Sequence, residues 1–334
     1  MAESIFLLIV GLAALIVGAD LAVAGARTVA RRMGISELVI GLTLTSIGTS
    51  LPELATSARA ALASEAGGAA AGVAVGNLLG SNLFLLTALL GMSAIARTIR
   101  IEPGTIWRDG GTLLGATIAT LAVMLGGTVS RLEGVLLMLG YASYLVFVAM
   151  QERRRIRDRS EDADGSHPEQ EEADQQTGWA RHLPWWLSSI TRIALGLAGV
   201  LIGANMVVDH GVSMATTIGV PGTLIGIFVG VGTSLPELVV SLQAAVRGAA
   251  DISVGNIVGS AITNLLLCLG AAAAAHHIAV PSTALAFDLP FLLVSTLIAL
   301  ALMLERFDVT RAEGVVLCLL FGFYLYLRAA GIVT

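Results

Sequence analysis

Gly48-Thr49-Ser50-Leu51-Pro52-Glu53 and Gly232-Thr233-Ser234-Leu235-Pro236-Glu237 are one six-residue string written twice, 184 positions apart, each time inside a long apolar stretch. A carboxylate at bilayer depth is expensive, about 2.5 to 3.5 kcal/mol at a helix centre on the lenient scales. A chain that keeps two of them in matched settings uses them, and the first expectation is a cation site.

Composition sets the frame around the strings. Apolar residues make up 56% of the chain and charged residues 13%, against about 25% charged in soluble domains. Mean hydropathy is +0.85. Ten runs are long enough to cross the hydrocarbon, near 4–25, 37–62, 68–93, 110–127, 132–150, 186–208, 220–246, 252–275, 284–303 and 312–332. None alternates apolar and polar residues as an outer-membrane barrel requires, so the fold class is all-α, a polytopic membrane protein. Ala22-Val23-Ala24 imitates a signal-peptide cleavage site, but the first run carries Glu3 where a basic leader belongs and has a partner later in the chain. It is retained as helix 1. Cys268 and Cys318 both fall within runs and say nothing about redox compartment.

The duplication reaches far beyond the strings. Gly18-Ala19-Asp20 answers Gly203-Ala204-Asn205, Gly76-Asn77 with Gly80-Ser81 answers Gly255-Asn256 with Gly259-Ser260, Asp109 answers Asp288, and Arg131 with Glu133-Gly134 answers Arg311 with Glu313-Gly314. One register therefore spans two five-helix units, 1–150 and 185–334, with the repeated cores at 41–91 and 225–270. An odd number of helices per unit makes the second enter the bilayer from the opposite side, an inverted repeat. Arginine placement agrees. Arg27, Arg31, Arg32, Arg97, Arg100, Arg108, the cluster Arg153 to Arg159, Arg181, Arg247, Arg306 and Arg311 share one face if both termini lie outside, and the positive-inside rule makes that face cytoplasmic. Only Arg59, Arg131 and Arg328 fall near the other. Between the units, 151–184 is polar, basic at its start and acidic through 161–174, and reads as a disordered cytoplasmic linker. It is too short and too poor in apolar residues to form a calcium-sensing domain.

The strings have a definite chemistry. Thr49 and Ser50 lie four and three residues before Glu53, so two hydroxyls and a carboxylate share one helical face, as do Thr233, Ser234 and Glu237. Pro52 cannot donate to the carbonyl of Gly48, nor Pro236 to that of Gly232, so both helices should break where the polar groups gather. Carboxylate, hydroxyl and carbonyl oxygens are the ligands of hard cations such as Ca²⁺ and Na⁺. No histidine or cysteine lies in either string, which disfavours zinc or copper. Helices 3 and 8 are expected to begin with Gly-Asn-x-x-Gly-Ser, at Gly76 and Gly255. Close helix packing explains the glycines of that motif better than it explains Asn77, Ser81, Asn256 and Ser260. A Thr-Ser pair in a membrane helix is often bonded to its own backbone, but paired glutamates without basic partners at their depth have no comparable structural explanation.

The doubled string followed by Gly-Asn-x-x-Gly-Ser resembles the two alpha repeats of the cation/calcium antiporter superfamily, in particular the prokaryotic sodium/calcium exchangers. That resemblance covers both units. It implies a ten-helix inverted repeat with ion sites between helices 2, 3, 7 and 8. The implied ligands are Thr49, Ser50, Glu53 and Ser81 from one unit and Thr233, Ser234, Glu237 and Ser260 from the other, with the carbonyls of Ser46 and Gly230. Glu53, Glu237, Thr49 and Thr233 would hold Ca²⁺. Four residues beyond each helix-3 and helix-8 serine the family usually has Asn or Asp, and this chain has Leu85 and Asn264. Leu85 cannot ligate, Asn264 offers oxygen without charge, and Asn82 is turned by about 100° around the helix from Ser81 and is no simple substitute.

The expected function is export of Ca²⁺ in exchange for Na⁺ by alternating access, in a prokaryotic inner membrane, with Ca²⁺ and Na⁺ bound as substrates, no resident cofactor and no nucleic-acid partner. A proton-coupled exporter of Ca²⁺ is the nearest alternative, because a missing Na⁺ ligand matters less to H⁺; Mn²⁺ or Mg²⁺ as cargo keeps the fold. A cation channel is the alternative from another class. An intramembrane hydrolase would need a base beside Ser50 or Ser234, and no histidine or lysine is placed to serve.

Overall fold

The computed structural model describes residues 2–63, 69–162, 184–217 and 231–330. Helices dominate: α1 (Ala2–Met33); α2 (Glu37–Thr49 and, past a break, Leu51–Ala63); α3 (69–96); α4 (103–124); α5 (Arg131–Asp162); α6 (Trp185–Thr217); α7 (Leu235–Val246); α8 (Ala250–Ala275); α9 (Ala284–Arg306) and α10 (Arg311–Ala329). Among the described residues seven helices are long and apolar enough to cross a membrane, and the two arms of α2, bent by 43°, make an eighth when counted together. The interval 151–184 is helical as far as Asp162, because the Gln, Glu and Arg side chains that follow Met150 are good helix formers and simply extend α5 beyond its apolar part. Residues 163–183 lie outside the described residues. Helices α3 and α8 start at Ala69 and Ala250, so the Gly-Asn-x-x-Gly-Ser motifs sit inside them and do not open them.

Two short antiparallel ladders supplement the helices. β1 (Ile99–Arg100), in the α3–α4 connection, pairs with β4 (Asp308–Val309), in the α9–α10 connection. β2 (Thr128–Val129), in the α4–α5 connection, pairs with β3 (Ile278–Ala279), in the α8–α9 connection. Each ladder thus joins one half of the chain to the other.

Helix contacts recur in matched pairs. A Cβ at Gly91 of α3 would sit 2.5 Å from the carbonyl of Gly314 in α10, and one at Gly134 of α5 would sit 2.6 Å from the carbonyl of Gly270 in α8. The hydroxyl of Tyr144 in α5 donates to Asp109 at 3.3 Å, and that of Tyr324 in α10 donates to Asp288 at 3.0 Å. Both aspartates are buried and ion-paired, Asp109 with Arg108 at 2.7 Å and Asp288 with Arg328 at 3.3 Å. That neutralisation lets α4 begin at Pro103, ahead of two charged residues that the hydropathy profile places outside the span. Capping boxes start α5 and α10: Ser130 and Thr310 accept the amides of Glu133 and Glu313, whose carboxylates accept in return.

The apolar interior falls into two clusters. A larger one is built from α2 to α5 and α8 to α10 around Leu83, Leu85, Leu89, Ile262 and Leu269. The other holds Leu15, Val23, Ile193, Val200 and Val240, from α1, α6 and α7. Helices α1 and α6 approach backbone to backbone, since a Cβ at Gly18 would lie 2.6 Å from the carbonyl of Gly196. On the arginine-rich face this pair is tied to its surroundings by Arg27 with Glu37 at 3.2 Å and by Asp20 with Gln243 and Arg247.

Candidate functional site

The breaks fall where the prolines put them. Ser50 leaves the helical region (φ −81°, ψ 8°) between the arms of α2, and Ser234 does the same (φ −91°, ψ 10°) immediately before α7. Each break ends the preceding helix at the threonine-serine pair and starts a new one with the glutamate in its first turn, where the partial positive charge of the free amides favours a carboxylate. The carbonyl of Ser46 accepts the amide of Ser50 at 3.0 Å and lies 3.3 Å from Thr49 Oγ1. Gly230 lies outside the described residues.

The two strings meet. Ser50 Oγ donates to Glu237 Oε1 at 3.0 Å, and Ser234 Oγ donates to Glu53 Oε1 at 2.9 Å, so each carboxylate is held by the serine of the opposite half. Ser234 also reaches Ser81 Oγ at 3.0 Å. Thr49 Oγ1 lies 3.3 Å from Asn256 Oδ1 and Thr233 Oγ1 lies 3.2 Å from Asn77 Oδ1, a second matched pair across the halves. Glu53 and Glu237 are both fully buried. Among the described residues no arginine forms an ion pair with either one.

Several buried oxygens in this region have no donor. They are Glu53 Oε2, Glu237 Oε2, Ser260 Oγ, Asn264 Oδ1 and Asn82 Oδ1. An acceptor buried without a partner costs about 1–3 kcal/mol, and more when charged. Four of the five belong to residues that the sequence puts forward as ligands; all are oxygens, and two belong to carboxyl groups, the kind of donor a hard cation takes. Leu85 is fully buried and contributes no polar atom. Asn82 donates to the carbonyl of Leu78 in its own helix at 2.8 Å.

Two features were not legible beforehand. Ser57 and Ser241, four residues after each glutamate, accept the side-chain amides of Asn77 at 3.2 Å and Asn256 at 2.9 Å. Their signal was their own repetition at the spacing of the strings. The helices beside the site also widen into π turns at matched positions, Phe84–Leu89 with Leu85 and Thr263–Cys268 with Asn264, and a further one at Gly41–Thr45 leads into the α2 break. Such turns are rare in general and frequent at functional sites.

Known proteins share this architecture. The chain is 32% identical to the sodium/calcium exchanger MaX1 of Methanosarcina acetivorans over 348 aligned positions, covering 96% of each. It is 30% identical to the inner membrane protein YrbG of Escherichia coli, covering 96% of this chain and 94% of that one. The solved structure of the sodium-calcium exchanger NCX_Mj superposes with a TM-score of 0.79 at 27% identity, over 96% of this chain and 97% of that one. The family model described as sodium/calcium exchanger protein matches residues 3–150 and 188–330, both halves of the duplication, and the chain belongs to that family of integral membrane proteins.

Proposed function

We propose that this chain is a secondary active antiporter, not an enzyme, that exports Ca²⁺ in exchange for Na⁺ by alternating access. The observation that carries the reading is the condition of Glu53 and Glu237: fully buried, each with one oxygen bonded from the opposite half and the other without a donor. Their combined charge matches one Ca²⁺. Carboxylate, hydroxyl and carbonyl oxygens suit an ion that takes about six to eight such ligands. Thr49, Ser50, Glu53, Ser81 and the Ser46 carbonyl form one half-site; Thr233, Ser234, Glu237, Ser260, Asn264 and the Gly230 carbonyl form the other. Glu53, Glu237, Thr49 and Thr233 are the Ca²⁺ ligands. Reorienting two bare buried carboxylates is costly, so movement is tied to occupancy, and exchange is obligatory. The related NCX_Mj has been examined with Na⁺, Ca²⁺ and Sr²⁺, which supports these ions as cargo.

The membrane arrangement we propose is ten crossings in two inverted five-helix units, 1–150 and 185–334, with both termini outside and 151–184 in the cytoplasm of a prokaryotic cell. The ladders support it. Six crossings, α4 to α9, separate β1 from β4, and four, α5 to α8, separate β2 from β3. Even numbers return the chain to the face it left, as strand pairing demands. Arg97 and Arg100 then share the inner face with Arg306, Arg311 and the Arg153–Arg159 cluster, consistent with the positive-inside rule.

Flux of radioactive Ca²⁺ from proteoliposomes under separately imposed Na⁺, K⁺ and pH gradients tests the reading. Efflux driven by Na⁺ alone is expected. The buried Leu85 favours one alternative, proton coupling, and efflux driven by a pH gradient without Na⁺ would replace the sodium reading with it. Ohmic current without a counter-ion would mean a channel.

A further inference from the structure

We propose that Asn77 and Asn256 are positioning residues for cation binding: each takes up the hydroxyl hydrogen of the opposite half's threonine, so that the threonine turns its lone pairs to the ion. This rests on the reading of Thr49 and Thr233 as ligands. A threonine hydroxyl has one hydrogen and two lone pairs, and a cation can use only the lone pairs. Thr49 Oγ1 lies 3.1 Å from the carbonyl of Thr45, 3.3 Å from that of Ser46 and 3.3 Å from Asn256 Oδ1, and it also interacts with the carboxylate of Glu237. A hydrogen given to Ser46 occupies a carbonyl that the site needs. Given to Asn256, it leaves that carbonyl and both threonine lone pairs available. Asn77 offers Thr233 the same acceptor at 3.2 Å.

The orientation of each amide decides whether this works. If the side chain of Asn256 were reversed, its NH₂ would donate to Thr49, consume a lone pair and set a positive dipole end beside the cation. In the orientation observed, Asn256 Nδ2 donates to Ser241 Oγ at 2.9 Å and Asn77 Nδ2 donates to Ser57 Oγ at 3.2 Å, so each amide turns its oxygen to the threonine. Each relay therefore runs serine, asparagine, threonine, and crosses from one half of the chain to the other at its last step. Its two copies match residue for residue: Ser57 with Ser241, Asn77 with Asn256, Thr233 with Thr49. Because one bond joins α8 to α2 and the other α3 to α7, both threonines are aimed only when the halves are together.

A double-mutant cycle on Ca²⁺ exchange in proteoliposomes tests the relay. Asn256→Ala should raise the Km for Ca²⁺ about five- to tenfold, the range of one hydrogen bond, with a smaller change in maximal rate. In a Thr49→Ala background the same substitution should add almost nothing, because its target is gone. In a Thr233→Ala background it should act at full strength, since that threonine belongs to the other relay. Asn256→Asp, which keeps the acceptor, should hold Km near or below that of the unmodified chain. Ser241→Ala, which leaves Asn256 in place but unlocks its amide, should raise Km several-fold and serves if Asn256→Ala does not fold. Equal effects of Asn256→Ala in the two threonine backgrounds, or a lowered rate at constant Km, would overturn the relay while leaving the exchanger intact. An unmodified chain that moves no Ca²⁺ would overturn the ligand reading on which the relay rests.

Discussion

Ser50 Oγ donates to Glu237 Oε1 at 3.0 Å although 187 residues separate the two. The reciprocal bond from Ser234 to Glu53, at 2.9 Å, makes the relationship symmetric. The serine that binds each carboxylate comes from the opposite half of the chain. A polar cluster of this kind is most stable when assembled, because each buried carboxylate separated from the opposite serine would lose that donor. The two copies of the string therefore meet in one polar cluster, to which each half contributes a serine and a glutamate.

Replacing a carboxylate by its amide keeps shape and removes charge. Glu53→Gln and Glu237→Gln each take away an oxygen that has no donor, so the loss should appear in ion binding. Interactions with charged groups are worth about 1.5–3 kcal/mol, which corresponds to roughly ten- to hundredfold weaker Ca²⁺ binding per substitution. Ca²⁺ titration of the purified variants and Ca²⁺ flux measure it. Intact flux in both variants would remove the two glutamates from the transport site.

Leu85 is buried beside the site, on the turn that follows Ser81. Leu85→Asn would add an oxygen there, matching Asn264 in the other half. The Na⁺ concentration that half-activates Ca²⁺ efflux should fall about two- to tenfold, the effect of one additional neutral ligand of hydrogen-bond strength. The same variant should lose some thermal stability, since an amide replaces an apolar side chain in the core. If Na⁺ dependence is unchanged, position 85 does not face the ions.

The sequence made the candidate ligands readable because most of them sit in a repeated string whose polarity is out of place in a membrane. Ser57 and Ser241 lacked that visibility: a single serine in an apolar helix is most often bonded to its own backbone, and only the structure reveals their bonds to Asn77 and Asn256. The start of α4 was hidden for a related reason. Hydropathy counts Arg108 and Asp109 as two charges, whereas the folded chain pairs them at 2.7 Å and adds the hydroxyl of Tyr144. The ladders β1–β4 and β2–β3 left no local trace, since two-residue strands are set by what the helices bring together.

Asp288 and Arg328 predict an asymmetry in stability. Their side chains are 4% and 34% exposed, so the aspartate depends on the arginine more than the reverse. Arg328→Gln strands a buried carboxylate with the Tyr324 hydroxyl as its remaining side-chain donor among the described residues, a change that costs about 3–5 kcal/mol for fully buried pairs and, with Arg328 partly exposed, roughly 1–3 here. Asp288→Asn leaves an arginine that reaches solvent and should cost less. Combining both should recover part of the loss of Arg328→Gln. Thermal unfolding in detergent orders the three variants, and equal losses for the two single substitutions would contradict the arrangement.

Gly134 and Gly140 lie on one helix, and only the first touches another. A Cβ at Gly134 would lie 2.6 Å from both the carbonyl of Gly270 and the amide of Ala274. Those are backbone atoms, so Gly134→Ala has to push α5 away from α8, and overpacking of this kind costs about 1–3 kcal/mol. Gly140 is exposed, with nothing within 4 Å of an added Cβ. Gly140→Ala should therefore be neutral or stabilising by up to about 1 kcal/mol, through helix propensity alone. The consequence extends to function, because α8 also carries Ser260 and Asn264 and is held to α5 by the hydrogen bond between Tyr141 and Thr263 at 3.0 Å. Gly134→Ala should lower both the unfolding temperature and the apparent Ca²⁺ affinity, with Gly140→Ala changing neither downward. Unfolding scans and Ca²⁺ titration on the two variants decide it: equal behaviour would mean that α5 does not support the site through this contact.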